Sequence, residues 1–401
     1  MNEMTQAHAL PALLALSGDE KTVMGLTHTP REIRQQPETW KTTRRIVSHH
    51  QAQIREFLAD SGLNDRGQSQ PVIFLVGAGT SDYIGRALAQ LLRRKWRCEA
   101  LAVPSTDLLT EMDALILPDR PYLWISFSRS GDSAEGVAVL EAALEHYPEI
   151  RHLVVSCNRH GRMAQDFAGH PNVFNLVLDD AVNDRGLAMT SSFTNMVVAG
   201  QCLAHIATLD EYEQILEQLC VAGENLLGSA ANLAARLAEE GYSQACFLGS
   251  GTLNAVAKES ALKLLELTAG RVHTMSESFL GVRHGPLSAV SGGTLLVASL
   301  SGDSRRRGYE MDLLAEIQRK ELGGKRIVIS ANRNAAAERL ADEIINLGLP
   351  RYLADEYRPP VDVIFGQLLG LFSSLRHGLK PDTPSPNGAI SRVVTKVKIY
   401  S

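Results

Sequence analysis

The sequence predicts an α/β protein of two tandem three-layer α/β/α domains, each with a mainly parallel sheet flanked by helices. Three observations carry that reading: an internal repeat, short apolar runs alternating with helix-period segments, and a length of 401 residues that suffices for two cores. The repeat is the most informative. Gly77-Ala78-Gly79-Thr80 recurs 172 residues on as Gly249-Ser250-Gly251-Thr252, and Ser130-Gly131-Asp132-Ser133 recurs 171 on as Ser301-Gly302-Asp303-Ser304. Val155-Ser156-Cys157-Asn158 recurs 174 on as Ile329-Ser330-Ala331-Asn332. Three matches in one order at nearly one spacing describe a duplicated unit.

Each copy alternates strand and helix. In the first, 72–76, 122–127 and 152–156 are short apolar runs with the length of buried strands, and 83–92 and 134–146 carry helical periodicity. In the second, the strands fall at 245–248, 294–300 and 326–330 and the helices at 255–267 and 309–321. Strands apolar throughout belong to a parallel sheet covered on both faces. Residues 1–50 read as a polar helical arm, 51–215 as the first domain, 216–380 as the second and 381–401 as an irregular tail. Helix-like 211–240 links the copies.

Bulk properties narrow the function. A net charge of −5 offers no footprint for nucleic acid or an anionic membrane. The runs Arg93-Arg94-Lys95 and Arg305-Arg306-Arg307 read as solvated surface. No stretch is apolar enough to span a bilayer, and no signal peptide is evident. Five scattered cysteines without a Cys-x-x-Cys pair imply neither zinc nor a disulfide framework, so a reducing cytoplasm is expected.

The ligand cue is hydroxyl-rich sequence where strands end: Gly79-Thr80-Ser81, then Ser128-Arg129-Ser130-Gly131-Asp132-Ser133, then Thr190-Ser191-Ser192 opening a later helix. Hydroxyls beside free helix N-terminal amides suit a phosphate, although Ser and Thr also serve simply as helix caps and turn formers. Three such loops in one copy favour phosphate. The dinucleotide fingerprint and the P-loop are both absent, and no metal ligand set appears. In the second copy Glu259, Lys263 and Glu266 are spaced to share one helix face. By spacing alone a solvated salt-bridged stripe is the preferred reading. His284, beside Gly285-Pro286, sits in a loop, where a lone histidine is more often structural than catalytic.

These motifs together resemble the sugar isomerase (SIS) family, in the tandem form of the isomerase half of glucosamine-6-phosphate synthase. The resemblance covers nearly all of the chain after the arm. It implies that Thr80, Ser81, Ser128, Ser130 and Ser133 hold a sugar phosphate, with Gly79, Thr190 and Ser191 beside it. Arg129 stands where that synthase has glutamine. Glu266 matches the carboxylate that moves a proton between carbons 1 and 2, and His284 the ring-opening histidine donated by a partner subunit. Glu259 and Lys263 match residues near the substrate amine and hydroxyls. Arg392 and Lys396 are the candidates for a basic residue from the C-terminal loop.

Asn2, and a segment too short for a glutamine-hydrolysing domain, direct the expectation to release of ammonia. The segment 277–286 and the ending 387–394 resemble the galactosamine-6-phosphate deaminase/isomerase family. The expected reaction is galactosamine 6-phosphate plus water to tagatose 6-phosphate plus ammonia, without a cofactor, in a homodimer or larger homo-oligomer with shared sites. Alternatives are a glucosamine-6-phosphate deaminase, a plain aldose/ketose isomerase, a fructosamine-phosphate deglycase, or a non-catalytic sugar-phosphate sensor.

Overall fold

Helices α1 (Ala9–Ala15), α2 (Gly18–Met24), α3 (Thr29–Arg34), α4 (Gln36–His49) and α5 (Gln51–Asp60) precede the first strand. The computed structural model describes residues 9–63, 70–394 and 397–400. The first copy then runs β1 (Val72–Gly77), α6 (Thr80–Trp96), β2 (Ala100–Pro104), α7 (Ser105–Leu115), β3 (Tyr122–Ser128), α8 (Ala134–His146), β4 (Arg151–Ser156), α9 (Arg162–Gln165), β5 (Val173–Val177) and α10 (Ser191–Ala204). After α11 (Leu209–Glu240) the second copy follows as β6 (Gln244–Gly249), α12 (Thr252–Leu267), β7 (His273–Glu277), β8 (Thr294–Leu300), α13 (Ser304–Arg319), β9 (Lys325–Ser330), β10 (Glu343–Asn346) and α14 (Pro359–Arg376).

Both sheets are wholly parallel and share one strand order. The first is β2-β1-β3-β4-β5, and the second, read from its other edge, is β7-β6-β8-β9-β10. Duplication is therefore written in topology as well as in motifs. In this doubly wound order the direction of winding reverses between the first and third strands of each copy, and their carboxyl ends border the usual ligand crevice. Strands β1, β3 and β8 are buried at every position, as their unbroken apolar or small sequences require.

The repeated Gly-x-Gly has a double cause. A Cβ on Gly77 would lie 2.4 Å from the Ser81 carbonyl carbon, and one on Gly249 2.1 Å from the Leu253 oxygen. Gly79 and Gly251 take φ of 56° and 58°, the left-handed region that glycine enters without strain.

The chain divides into two compact units. One holds Glu38–Asp184, Ser191–Leu216 and the tail from Ser391; the other holds the segment ending at Pro37, Arg185–Thr190 and Glu217–Ile390. The first sheet lies in the former, called here the first-copy unit, and the second sheet in the latter. Helix α13 departs from the 309–321 expectation. It starts at Ser304, where the Asp303 side chain accepts from Arg306 N, and it stops before Glu321, whose φ of 53° no helix tolerates. The described residues of the tail, 381–394 and 397–400, form no helix or strand. No described helix is long and apolar enough to cross a membrane.

Candidate active site

Helix α12 carries the titratable cluster. Lys263 Nζ lies 2.6 Å from Glu266 Oε2 and 3.4 Å from Glu259 Oε1. The side chains of Lys263 and Glu259 are wholly buried, whereas that of Glu266 is 21% exposed. The expected solvated stripe is therefore overturned. The cause is α14, an apolar helix whose Gly366 and Gly370 let it approach α12 closely. A Cβ on Gly366 would meet Ser260 at 2.4 Å, and one on Gly370 would lie 2.7 Å from Leu267 and 3.1 Å from the Lys263 carbonyl. An ammonium removed from water requires paired carboxylates, and Glu259 and Glu266 supply them. Glu266 alone of the three opens to solvent. Its Oε1 makes no hydrogen bond among the described residues. A carboxylate oriented by a buried lysine, with one oxygen outward, is equipped to carry a proton.

His284 lies in the same unit on an exposed loop, at the end of a 3₁₀ turn and before Gly285 at φ 125°. Its amide donates to Gly281 O at 2.9 Å. Its ring has no hydrogen-bond partner among the described residues.

In the first-copy unit, Thr80 and Ser81 start α6 and are nearly buried. Ser128, the last residue of β3, and Arg129 and Ser130 of the β3–α8 loop are also nearly buried. Ser128 Oγ accepts from Gly131 N at 3.0 Å and Ser130 Oγ from Asp132 N at 3.1 Å. Each hydroxyl is thereby fixed while retaining its own proton to donate. Ser133 stands at the N-cap of α8 but makes no capping bond. Ser128 and Ser130 therefore act as turn formers here, whereas Ser133 caps nothing.

The third hydroxyl cluster is arranged differently. Ser191 Oγ donates to Asp184 Oδ1 at 2.5 Å, and Ser192 donates to Asp184 Oδ2 through N (2.8 Å) and Oγ (2.6 Å). Asp184 thus supplies the anion at the start of α10 from within the protein. Thr190, in the other unit, is buried, and its carbonyl accepts from Gln367 at 3.2 Å.

The tail meets the β3–α8 loop within the first-copy unit. Arg129 donates to the Arg392 carbonyl, and Ala134 N, at the start of α8, donates to Val394 O at 3.0 Å. The Arg392 guanidinium turns to Asn183 Oδ1 (2.7 Å) and Asp184 O (2.8 Å). Lys396 lies outside the described residues.

The homologous loop of the second copy is closed by carboxylates. Asp303 N donates to Ser301 Oγ at 3.1 Å, the counterpart of the Asp132–Ser130 bond. But Gly302 N and Ser301 Oγ donate to Asp355, and Ser301 N donates to Glu310 at 2.7 Å. Burial pushes the Glu310 carboxyl above the usual carboxylate range. Wholly buried Arg358 bridges Asp355 (3.0 Å) and Asp362 (2.8 Å). Asp184, Asp355 and Asp362 had no motif to mark them. Only the Gly366-x-x-x-Gly370 spacing could have signalled the covering helix. The thiols are not nucleophile candidates: burial pushes Cys98 up to about 11 and Cys246 up to about 12.

With this geometry in place, comparison with known proteins is decisive. Residues 241–351 match the SIS domain. An Escherichia coli protein named D-galactosamine-6-phosphate deaminase AgaS is 35% identical over 385 residues, covering 93% of this chain and 96% of that one. The chain belongs to this family. A Streptomyces coelicolor protein given the same name provisionally is 38% identical over 376 residues, 93% of this chain and 95% of its own. The crystal structure titled tagatose-6-phosphate ketose/aldose isomerase from Escherichia coli superposes with a TM-score of 0.84 at 33% identity, covering 93% of this chain and 96% of that one. Tandem SIS architecture in the AgaS family fits the two sheets of one topology.

Proposed function

We propose that this protein is a D-galactosamine-6-phosphate deaminase, converting galactosamine 6-phosphate and water to tagatose 6-phosphate and ammonia. Family membership supports the reaction. The observation that carries the mechanism is Glu266, held by buried Lys263 with one oxygen turned outward. Ser128, Ser130 and Ser133, with Thr80 and Ser81, bind the 6-phosphate through their hydroxyl protons, supplying binding energy remote from the reacting carbons. Arg129 braces that loop and the tail.

His284 protonates the ring oxygen, and the sugar opens to the aldehyde. Glu266 removes the proton on carbon 2 and returns it to carbon 1, while the carbon-1 oxygen gains a proton and the amine gives one up, leaving an imine at carbon 2. Water adds to that imine and ammonia departs, so the carbon skeleton ends as a ketose. Glu259 and Lys263 keep the Glu266 carboxylate in place and lie toward the amine and hydroxyls. A homo-oligomer in the cytoplasm, with His284 serving a partner's site, completes the reading.

The test is ammonia release by the purified protein from galactosamine 6-phosphate and, separately, from glucosamine 6-phosphate. Faster release from the galacto compound supports the assignment. Preference for the gluco compound moves the substrate but keeps the chemistry. Absence of ammonia with either, alongside ketose–aldose interconversion, replaces deamination by plain isomerisation.

A further inference from the structure

The two copies differ beside their third strands. In the first copy the chain after β4 lies against the β3–α8 loop. Asn158 Nδ2 donates to Ser130 O at 2.8 Å, Met163 N to Gly131 O at 2.9 Å, and Arg162 N to Asp132 Oδ1 at 2.9 Å. The Gly161 position is so close that a Cβ there would stand 2.2 Å from Ser130 O. The crevice between these loops is filled by backbone.

In the second copy one side chain replaces that backbone. Arg307 Nη1 donates to Ser301 O at 3.1 Å and to Gly302 O at 2.8 Å, the equivalents of the Ser130 and Gly131 carbonyls. The chain after β9 is thereby released and instead bonds within itself, Asn334 Oδ1 accepting from Ala336 N and Ala337 N. A cavity of about 480 Å³ opens between the two loops, a size typical of small-molecule sites. Arg307, Arg333 and Arg351 line it with Ser330, Asn332 and Asn334, and no carboxylate is among its lining residues. Arg333 pairs outward with Glu338 at 2.9 Å, and Arg351 has no ion-pair partner among the described residues.

We infer that this cavity is a second binding site, non-catalytic, for a phosphorylated polyhydroxy metabolite of hexose-phosphate size. Three guanidinium groups provide planar donors for a phosphate, the Asn332 amide provides donor and acceptor for hydroxyls, and Asn334, whose Oδ1 is taken, provides its amide donors. The polar lining suits a sugar rather than an apolar ligand. Ser301 and Gly302 of the Asp355-filled loop also line the cavity, but their amides are already taken by Glu310 and Asp355, so the arginine and asparagine side chains are left to hold the ligand.

Equilibrium titration with galactitol 6-phosphate tests this, because that probe has no carbonyl or amine and cannot turn over. The expected result is two classes of site per chain. Arg333→Ser with Arg351→Ser should weaken one class at least tenfold and leave the other, while Ser133→Ala should weaken only the other. Both arginines are exposed, so folding is not at risk, and the single Arg351→Ser change gives a milder check in the same direction. One class in the wild type that survives in the double variant, or two classes persisting there, overturns the second site. One class that survives Ser133→Ala and disappears in the double variant keeps the cavity and instead removes the β3–α8 loop as a phosphate site.

Discussion

The β3–α8 loop of the first copy and the β8–α13 loop of the second began as the same motif and now do opposite things. Both retain the turn in which a serine hydroxyl accepts from the amide two residues on, at 3.1 Å in each. In the first copy Gly131 N is satisfied by Ser128, so that loop and its hydroxyl protons remain available. In the second, Asp355 takes Gly302 N and the Ser301 hydroxyl, and the Ser299 hydroxyl bonds Asp362. A duplicated anion cradle can thus be kept for a ligand or supplied with an anion of its own. Motif identity alone does not say which.

The largest effect that would sharpen this contrast lies in the second copy's chemistry. Glu266→Gln should lower kcat for ammonia release about 10³-fold, the scale of a lost general base, with circular dichroism unchanged. Wild-type turnover in a folded variant would remove Glu266 from the mechanism. Next in size is stability. Asp355→Asn leaves buried Arg358 with Asp362 as its remaining carboxylate partner and should cost about 3 kcal/mol in urea unfolding. Ser133→Ala, at the matching place in the first copy, should cost less than about 0.5 kcal/mol. Equal costs would mean that the two loops are held in the same way.

Affinity divides them in the other direction. Ser133→Ala should raise KM about tenfold, as expected for one hydrogen bond to a charged group. Ser304→Ala, its repeat partner, should leave KM unchanged.

The smallest effect concerns pH. His152 on β4 is buried edge-on against Trp124, at 5.2 Å between ring centroids, and neither ring nitrogen has a hydrogen-bond partner among the described residues. Burial, aided by His170, lowers its pKa to about 3, and burial also takes His205 to about 4. The unfolded chain binds these protons near pH 6.5 and the native chain refuses them. Stability is therefore lost as pH falls below about 6.5, by up to about 1.4 kcal/mol per pH unit for each histidine. The same strand position in the second copy holds Arg326, bonded twice to Asp342. His152→Phe should flatten part of the acid slope measured by urea midpoints between pH 7.5 and 5. An unchanged slope would place the sensitivity elsewhere.

Much of this was legible beforehand, for physical reasons. Strands buried on both faces are apolar throughout, so 72–76 and 294–300 announced themselves. Glycines forced by a close approach and a positive φ recur in both copies, so the repeat was visible at Gly77, Gly79, Gly249 and Gly251. The helix face of Glu259, Lys263 and Glu266 followed from spacing. What covers that face did not, because periodicity reports which residues share a side and is silent on the partner, here α14. Asp184 and Asp355 were hidden for a related reason. Each reaches its loop from a distant point in the chain, and a single aspartate in a loop has no signature. The hydroxyls at 190–192 looked like those at 128–133, and only the bonds to Asp184 separate them.

The Asp355 closure has one more consequence. The bonds that Asp355 and Glu310 make to the β8–α13 loop need no ligand, because both carboxylates belong to the chain. On the proposed assignment, the first-copy loop binds a phosphate and is stabilised by RT ln(1 + [L]/Kd), so its hold on the native state would rise and fall with the metabolite pool. The enzyme's abundance would then follow its substrate without any separate regulator.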